Sequence, residues 1–105
     1  LLVVLTRPRD YVKGPMPASV GALLRTAYRQ FPSVFEGVAR RPDRYNAGRR
    51  FLFELEERGQ AYVFAPDNLW INNTESRRER LEATYRAGLV QAVREMPAIK
   101  AFLGL

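Results

Sequence analysis

Leu1-Leu2-Val3-Val4-Leu5-Thr6-Arg7-Pro8 begins with five apolar residues in succession and closes on a proline. A half-buried strand alternates apolar and polar residues, whereas an unbroken apolar run marks a strand covered on both faces. Such strands belong to parallel sheets packed under helices. A second stretch, Gln60-Ala61-Tyr62-Val63-Phe64-Ala65-Pro66, is again mostly apolar and again ends in proline. The residues between the two are far too many for a hairpin, so the strands are expected to pair in parallel through a helical crossover. A chain that opens directly on a buried strand reads as part of a larger domain.

The connection resolves into three helices. Pro8, Pro15 and Pro17 with Gly14 keep the segment after the first strand irregular. Ser19 is positioned to cap a helix over about Val20–Arg29, whose Val20, Leu23, Leu24, Ala27 and Tyr28 form one apolar face. Pro32 suits the first turn of a short second helix, Ser33–Arg41, and Pro42 closes it. Asp43 then reads as the cap of a third helix, Arg44–Arg58, with Tyr45, Gly48, Phe51, Leu52 and Leu55 inward, Glu54, Glu56, Glu57 and Arg58 in water, and Gly59 just past its end. After the second strand, Ser76 and Glu79 form a capping-box pattern for a long last helix. Leu81, Tyr85, Gly88, Leu89, Ala92, Val93 and Met96 mark its expected buried face, and Pro97 is expected to kink or restart it. The fold class is thus α/β and predominantly helical: two short parallel buried strands, about 1–6 and 60–65, a three-helix crossover, and a long C-terminal helix.

At 105 residues the chain makes one domain. Its 47% apolar and 27% charged residues are those of an ordinary globular protein and argue against disorder. No apolar run approaches the roughly 20 residues of a membrane span. There is no Cys for disulfides or thiolate metal sites, which fits a reducing cytoplasm without requiring one, and no His. Lack of His removes the commonest general base and metal ligand together with any Ser-His-Asp arrangement. No cofactor is expected. Cationic side chains outnumber acidic ones 17 to 11, and all but Lys13 and Lys100 are Arg. Heavy Arg use suits carboxylate or phosphate partners, although a GC-rich genome produces the same bias.

Pro17-Ala18-Ser19-Val20-Gly21 approaches a G-x-S-x-G nucleophile elbow. The first glycine is proline, however, and a proline-rich loop stands where a strand should lead in, so Ser19 reads as a cap and no catalytic residue is assigned. Two basic runs remain. Arg77, Arg78 and Arg80 interleave with Glu75, Glu79 and Glu82, the pattern of a solvated helix face. Arg40, Arg41, Arg44, Arg49 and Arg50 are less compensated. They allow a second reading of the chain, as a basic helical module that contacts anionic membrane or nucleic acid, although no nucleic-acid motif accompanies them.

Several segments recur in order in one family: Val3–Tyr11 (VVLTRPRDY), Tyr28–Pro32 (YRQFP), Arg40–Asn46 (RRPDRYN), Phe51–Gly59 (F-x-x-E-L-E-E-x-G), Ala61–Pro66 (AYVFAP) and Leu81–Gly88 (LEATYRAG). Together they resemble the C-terminal part of bacterial patatin-like phospholipases. The resemblance implies a single partial domain, 1–105, of an α/β hydrolase that cleaves lipid acyl esters with a Ser-Asp dyad. The dyad's G-x-S-x-G and Asp-Gly motifs and the glycine-rich oxyanion loop are absent from this chain. The segment would complete and cover the hydrolase sheet, in a cytoplasmic protein at most peripheral to the membrane. Its expected partners are the N-terminal catalytic part of the same protein, a phospholipid or membrane surface, and a second copy of the chain paired along its exposed strand edge. Nucleic acid is not expected. Ligands in open α/β sheets sit beyond the strand C-termini, so Arg7, Arg9, Tyr11 and Lys13 are the candidate loop near substrate or membrane.

Overall fold

A computed structural model describes residues 1–105. The element order is β1 (Leu2–Val4), α1 (Ala18–Ala27), α2 (Pro32–Ala39), α3 (Arg41–Glu57), β2 (Tyr62–Phe64) and α4 (Arg78–Leu103). β1 and β2 pair in parallel, with Leu2 beside Tyr62, Val3 beside Val63 and Val4 beside Phe64. The α/β class, the parallel pair, the three-helix crossover and the long last helix follow the sequence expectation. The chain divides into two compact units, one of Leu1–Tyr11 with Leu55–Leu105, the other of Val12–Glu54.

In the first unit the core sits on β2. Val63 is 1% exposed, flanked by buried Ala61 and Ala65. The Tyr62 N–H donates to the Leu1 carbonyl (2.8 Å) and the Leu5 N–H to that of Phe64 (2.8 Å). By the alternation of a parallel ladder, Leu1, Val3 and Leu5 therefore face β2, and the main-chain groups of Leu2 and Val4 point the other way. No third strand lies there, since the sheet has two. Val4 is 66% exposed and Leu2 is exposed too, which corrects the expectation of a strand buried on both faces. Burial on both faces belongs to strands inside a wider sheet between helix layers, and two strands alone do not make one.

The outer edge of β2 is closed by side chains. Arg9 donates to Glu56 through both terminal guanidinium nitrogens, Nη1 to Oε2 and Nη2 to Oε1, the latter at 2.7 Å. The same Arg9 Nη2 donates to the Val63 carbonyl (2.8 Å), and the Val63 N–H donates to Glu56 Oε1 (3.2 Å). The ion pair thus takes both main-chain groups that a neighbouring strand would take. One step along, the Gln91 amide repeats the device: its Nε2 donates to the Ala65 carbonyl (2.7 Å), and its Oε1 accepts from the Asp67 N–H (3.0 Å). Gln91 is 5% exposed.

This edge sets which way α4 faces. Gln91 and Glu95 turn inward, Glu95 accepting from the Tyr62 hydroxyl (3.0 Å), and the Phe102 ring lies 5.9 Å from that of Tyr62. Leu81, Tyr85, Leu89, Val93 and Met96, expected to be buried, are exposed. α4 also runs through Pro97 without interruption, and it begins at Arg78. Ser76 does not cap it: the helix start has no side-chain cap, and Glu75 accepts from the Arg77 N–H (3.0 Å) just ahead of it.

In the second unit, α1 begins at Ala18 behind Pro17, which leaves Ser19 inside the first turn. α3 begins at Arg41, so Pro42 stands in its first turn, where a missing N–H costs nothing, and Asp43 lies beside the positive helix end. The inward face of α3 is Pro42, Asn46, Arg49 and Phe53; Tyr45, Gly48 and Phe51 are exposed. Glu56, expected in water, is the half-buried partner of Arg9. α3 ends as expected. Gly59 has φ 72°, and the Gln60 N–H donates to the Leu55 carbonyl (2.9 Å), a Schellman closure.

Gln91→Ala leaves two main-chain groups without partners and is expected to cost about 2–4 kcal/mol in urea unfolding. The exposed control Glu79→Ala is expected to change stability by less than about 0.5 kcal/mol. The Arg9 hydrogen bonds, and after them the Val63 N–H, hold the Glu56 carboxyl below its ordinary range. A depressed carboxyl contributes stability above its unfolded value, about 4.3, and that stability is lost as pH falls through the folded value. Urea unfolding from about pH 7 to about pH 3 is expected to show a shallower acid loss in Glu56→Gln than in the parent; equal slopes would refute the role given to Glu56.

Candidate functional site at the strand ends

The C-terminal ends of β1 and β2 open into a cavity of about 600 Å³ within the first unit. This is the ligand-binding end of an open α/β sheet, and the volume is in the range of small-molecule sites. Leu5 and Phe64 come from the strand ends, Leu69 and Trp70 from the loop after β2, and Gly88 and Val90 from α4. Pro66 stops β2 and turns the chain into that loop, which places Trp70, 62% exposed, against the cavity. Gly88 stands in the middle of α4, where Ala would be favoured by about 1 kcal/mol, and a Cβ there would meet nothing within 4 Å.

Two guanidinium groups border this apolar space. Arg94 donates to Asp67 Oδ2 (2.7 Å), and that carboxylate raises the arginine pKa. Arg86 lines the cavity and is exposed. Gln91 is committed to the β2 edge and Thr84 Oγ1 to the Arg80 carbonyl (2.8 Å), while Thr6 and Asn68 also line the space. The lining is thus largely apolar, with Arg86 at its border and Arg94 paired with Asp67 and Glu95. No nucleophile stands beside a base, and no three His, Cys, Asp or Glu side chains gather to hold a metal ion.

The candidate loop residues fall in different settings. Arg7 donates to Asn73 Oδ1 (3.2 Å) and lies over the Tyr11 ring, 5.1 Å from its centroid. Arg9 is occupied at the β2 edge. Lys13 belongs to the second unit, where Asn46 clamps its main chain from both sides (2.8 and 2.9 Å) and its ammonium lies over Tyr45. Arg7 and Tyr11 come together within the first unit. The cavity itself was missed from sequence, although a strand closed by Pro66 and followed by the only Trp was a usable signal.

Gly88→Ala is expected to raise stability by about 0.5–1 kcal/mol in thermal unfolding. Gly88→Phe, pointing into the cavity, is expected to shift Trp70 emission to the blue. An unshifted spectrum would show that the cavity is not bounded by these two residues.

No curated protein and no solved structure matches the chain. Residues 31–104 match a family described as a domain of unknown function, DUF6363. The match takes in α2, α3, β2 and α4 with the α4 wall of the cavity, and the chain belongs to that family.

Proposed function

We propose that this chain is the closing, non-catalytic segment of a patatin-like lipid acyl hydrolase, in which it extends and covers the sheet of the catalytic part. The supporting observation is the asymmetry of the two strand edges. β2 is finished as an outermost strand by Arg9, Glu56 and Gln91, whereas β1 turns the main chain of Leu2 and Val4 toward open space. Unprotected apolar edges are rare in native proteins because they template further pairing. β1 is therefore built as an interior strand, with the next strand supplied by the rest of a larger domain. The exposed apolar face of α4, Tyr85, Leu89 and Val93, supports the same reading, since it offers a surface for that domain to cover. The ordered sequence likeness supports the choice of a patatin-like domain. The Ser-Asp dyad lies outside this chain in this reading. Ser19, exposed in the first turn of α1, has no part in it.

Two experiments test this. The reading frame is expected to encode G-x-S-x-G and Asp-Gly upstream of Leu1; a frame without them overturns the hydrolase assignment. Val4→Thr keeps β-branching and adds a hydroxyl. In the isolated chain it is expected to shift stability by less than about 0.5 kcal/mol. In the full-length protein, where Val4 would be covered, it is expected to cost about 1–3 kcal/mol. Equal small effects in both contexts would contradict the interior-strand role.

A further inference from the structure

Charge is distributed unevenly between the two units. Val12–Glu54 holds eight of the 17 cationic side chains but three of the 11 carboxylates, a net +5 of the chain's +6. The ion pairs are distributed the opposite way: Arg9–Glu56, Arg77–Glu75, Arg78–Glu82, Arg80–Glu75, Arg94–Asp67 and Arg94–Glu95 all lie in the first unit. In the second unit Arg29, Arg40, Arg41, Arg44 and Arg50 are exposed and take part in none of these pairs. A compact unit that concentrates cations without carboxylate partners is paid for in self-repulsion, and an anionic surface relieves it.

Helix geometry narrows the kind of surface. The inward face of α3, Pro42, Asn46, Arg49 and Phe53, puts Arg41, Arg44, Gly48 and Phe51 on the opposite, exposed face, with Arg50 on the flank that also carries Asp43 and Glu54. Phe51 is 59% exposed. Arg41 and Arg44 stand on one side of the exposed aromatic, with the small residues Ala47 and Gly48 flanking it, and give a face that is cationic at that margin and apolar at its centre. That is the chemistry of interfacial helices on anionic lipid, where the ring enters the headgroup boundary and the guanidinium groups meet phosphates. Contact with a nucleic-acid duplex would use the cations and have no need of the exposed Phe51.

We infer that the Val12–Glu54 unit is a docking surface for anionic membranes, with Arg41, Arg44, Arg50 and Phe51 of α3 at the contact. The inference is independent of the hydrolase reading, because it rests on the charge and exposure of this unit alone.

The test is co-sedimentation of the chain with vesicles of phosphatidylglycerol and phosphatidylcholine, with pure phosphatidylcholine vesicles and a short DNA duplex in parallel. Binding is expected to the anionic vesicles only, and to fall steeply with added salt. Arg41→Gln/Arg44→Gln/Arg50→Gln is expected to weaken it by about 10- to 100-fold. Phe51→Ser is expected to weaken it severalfold with net charge unchanged. Arg78→Gln/Arg86→Gln/Lys100→Gln, which removes the same net charge from the first unit, is expected to leave most of the binding. No binding at low salt overturns the inference. So does equal loss in both triple variants, which would reduce the effect to net charge. DNA binding indifferent to Phe51→Ser also overturns it, in favour of a nucleic-acid surface.

Discussion

Everything in the first unit depends on how the outer edge of β2 is satisfied. A strand three residues long has a handful of main-chain groups, and burying them without partners would cost more than so small a core returns. Arg9 and Glu56 reach Val63 from opposite sides of the sequence, one from the loop after β1 and the other from the last turn of α3. The clamp ties both ends of the crossover to the strand they flank. Gln91 extends the same solution by one step and anchors α4. With that edge closed, the sheet has one direction left in which to grow.

The same constraint explains an arrangement that looks inverted. α4 turns its polar residues toward the sheet and leaves its apolar stripe exposed, because β2 needs an amide and a carboxylate where a helix would ordinarily bring leucine. α3 behaves alike: Asn46 holds the main chain of Lys13, and Glu56 holds Val63. Inward polar groups in this chain act as substitutes for strand neighbours. Apolar surface is left exposed instead, on α4 and on β1.

Element order and the parallel pair were legible in the sequence because two proline-closed apolar runs and a glycine at a helix end are local signals. Gly59 did what a C′ glycine does, and Pro32 opened α2 as its fixed φ favours. Facing was not legible. Periodicity treats apolar as inward, so it placed Tyr45, Phe51, Tyr85 and Leu89 in the core and Glu56 in water, and the structure reverses each. The reversal depends on a backbone edge whose unpaired groups no side-chain pattern records. Helix starts slipped for a related reason: Ser19, Asp43 and Ser76 have the chemistry of caps, but neighbouring prolines and Glu75 had already fixed where the chain turns. The cavity needed three separated segments to meet, which a linear reading does not bring together.

The central claim is that the sheet is closed at β2 and open at β1. Residue-resolved amide hydrogen exchange on the chain in solution tests it most directly. The account predicts slow exchange at Tyr62, Val63 and Leu5, whose N–H groups donate within the fold, and fast exchange at Leu2 and Val4, whose N–H groups point away from β2. Protection at Leu2 and Val4 together with rapid exchange at Val63 would place the open edge on the wrong strand and contradict it.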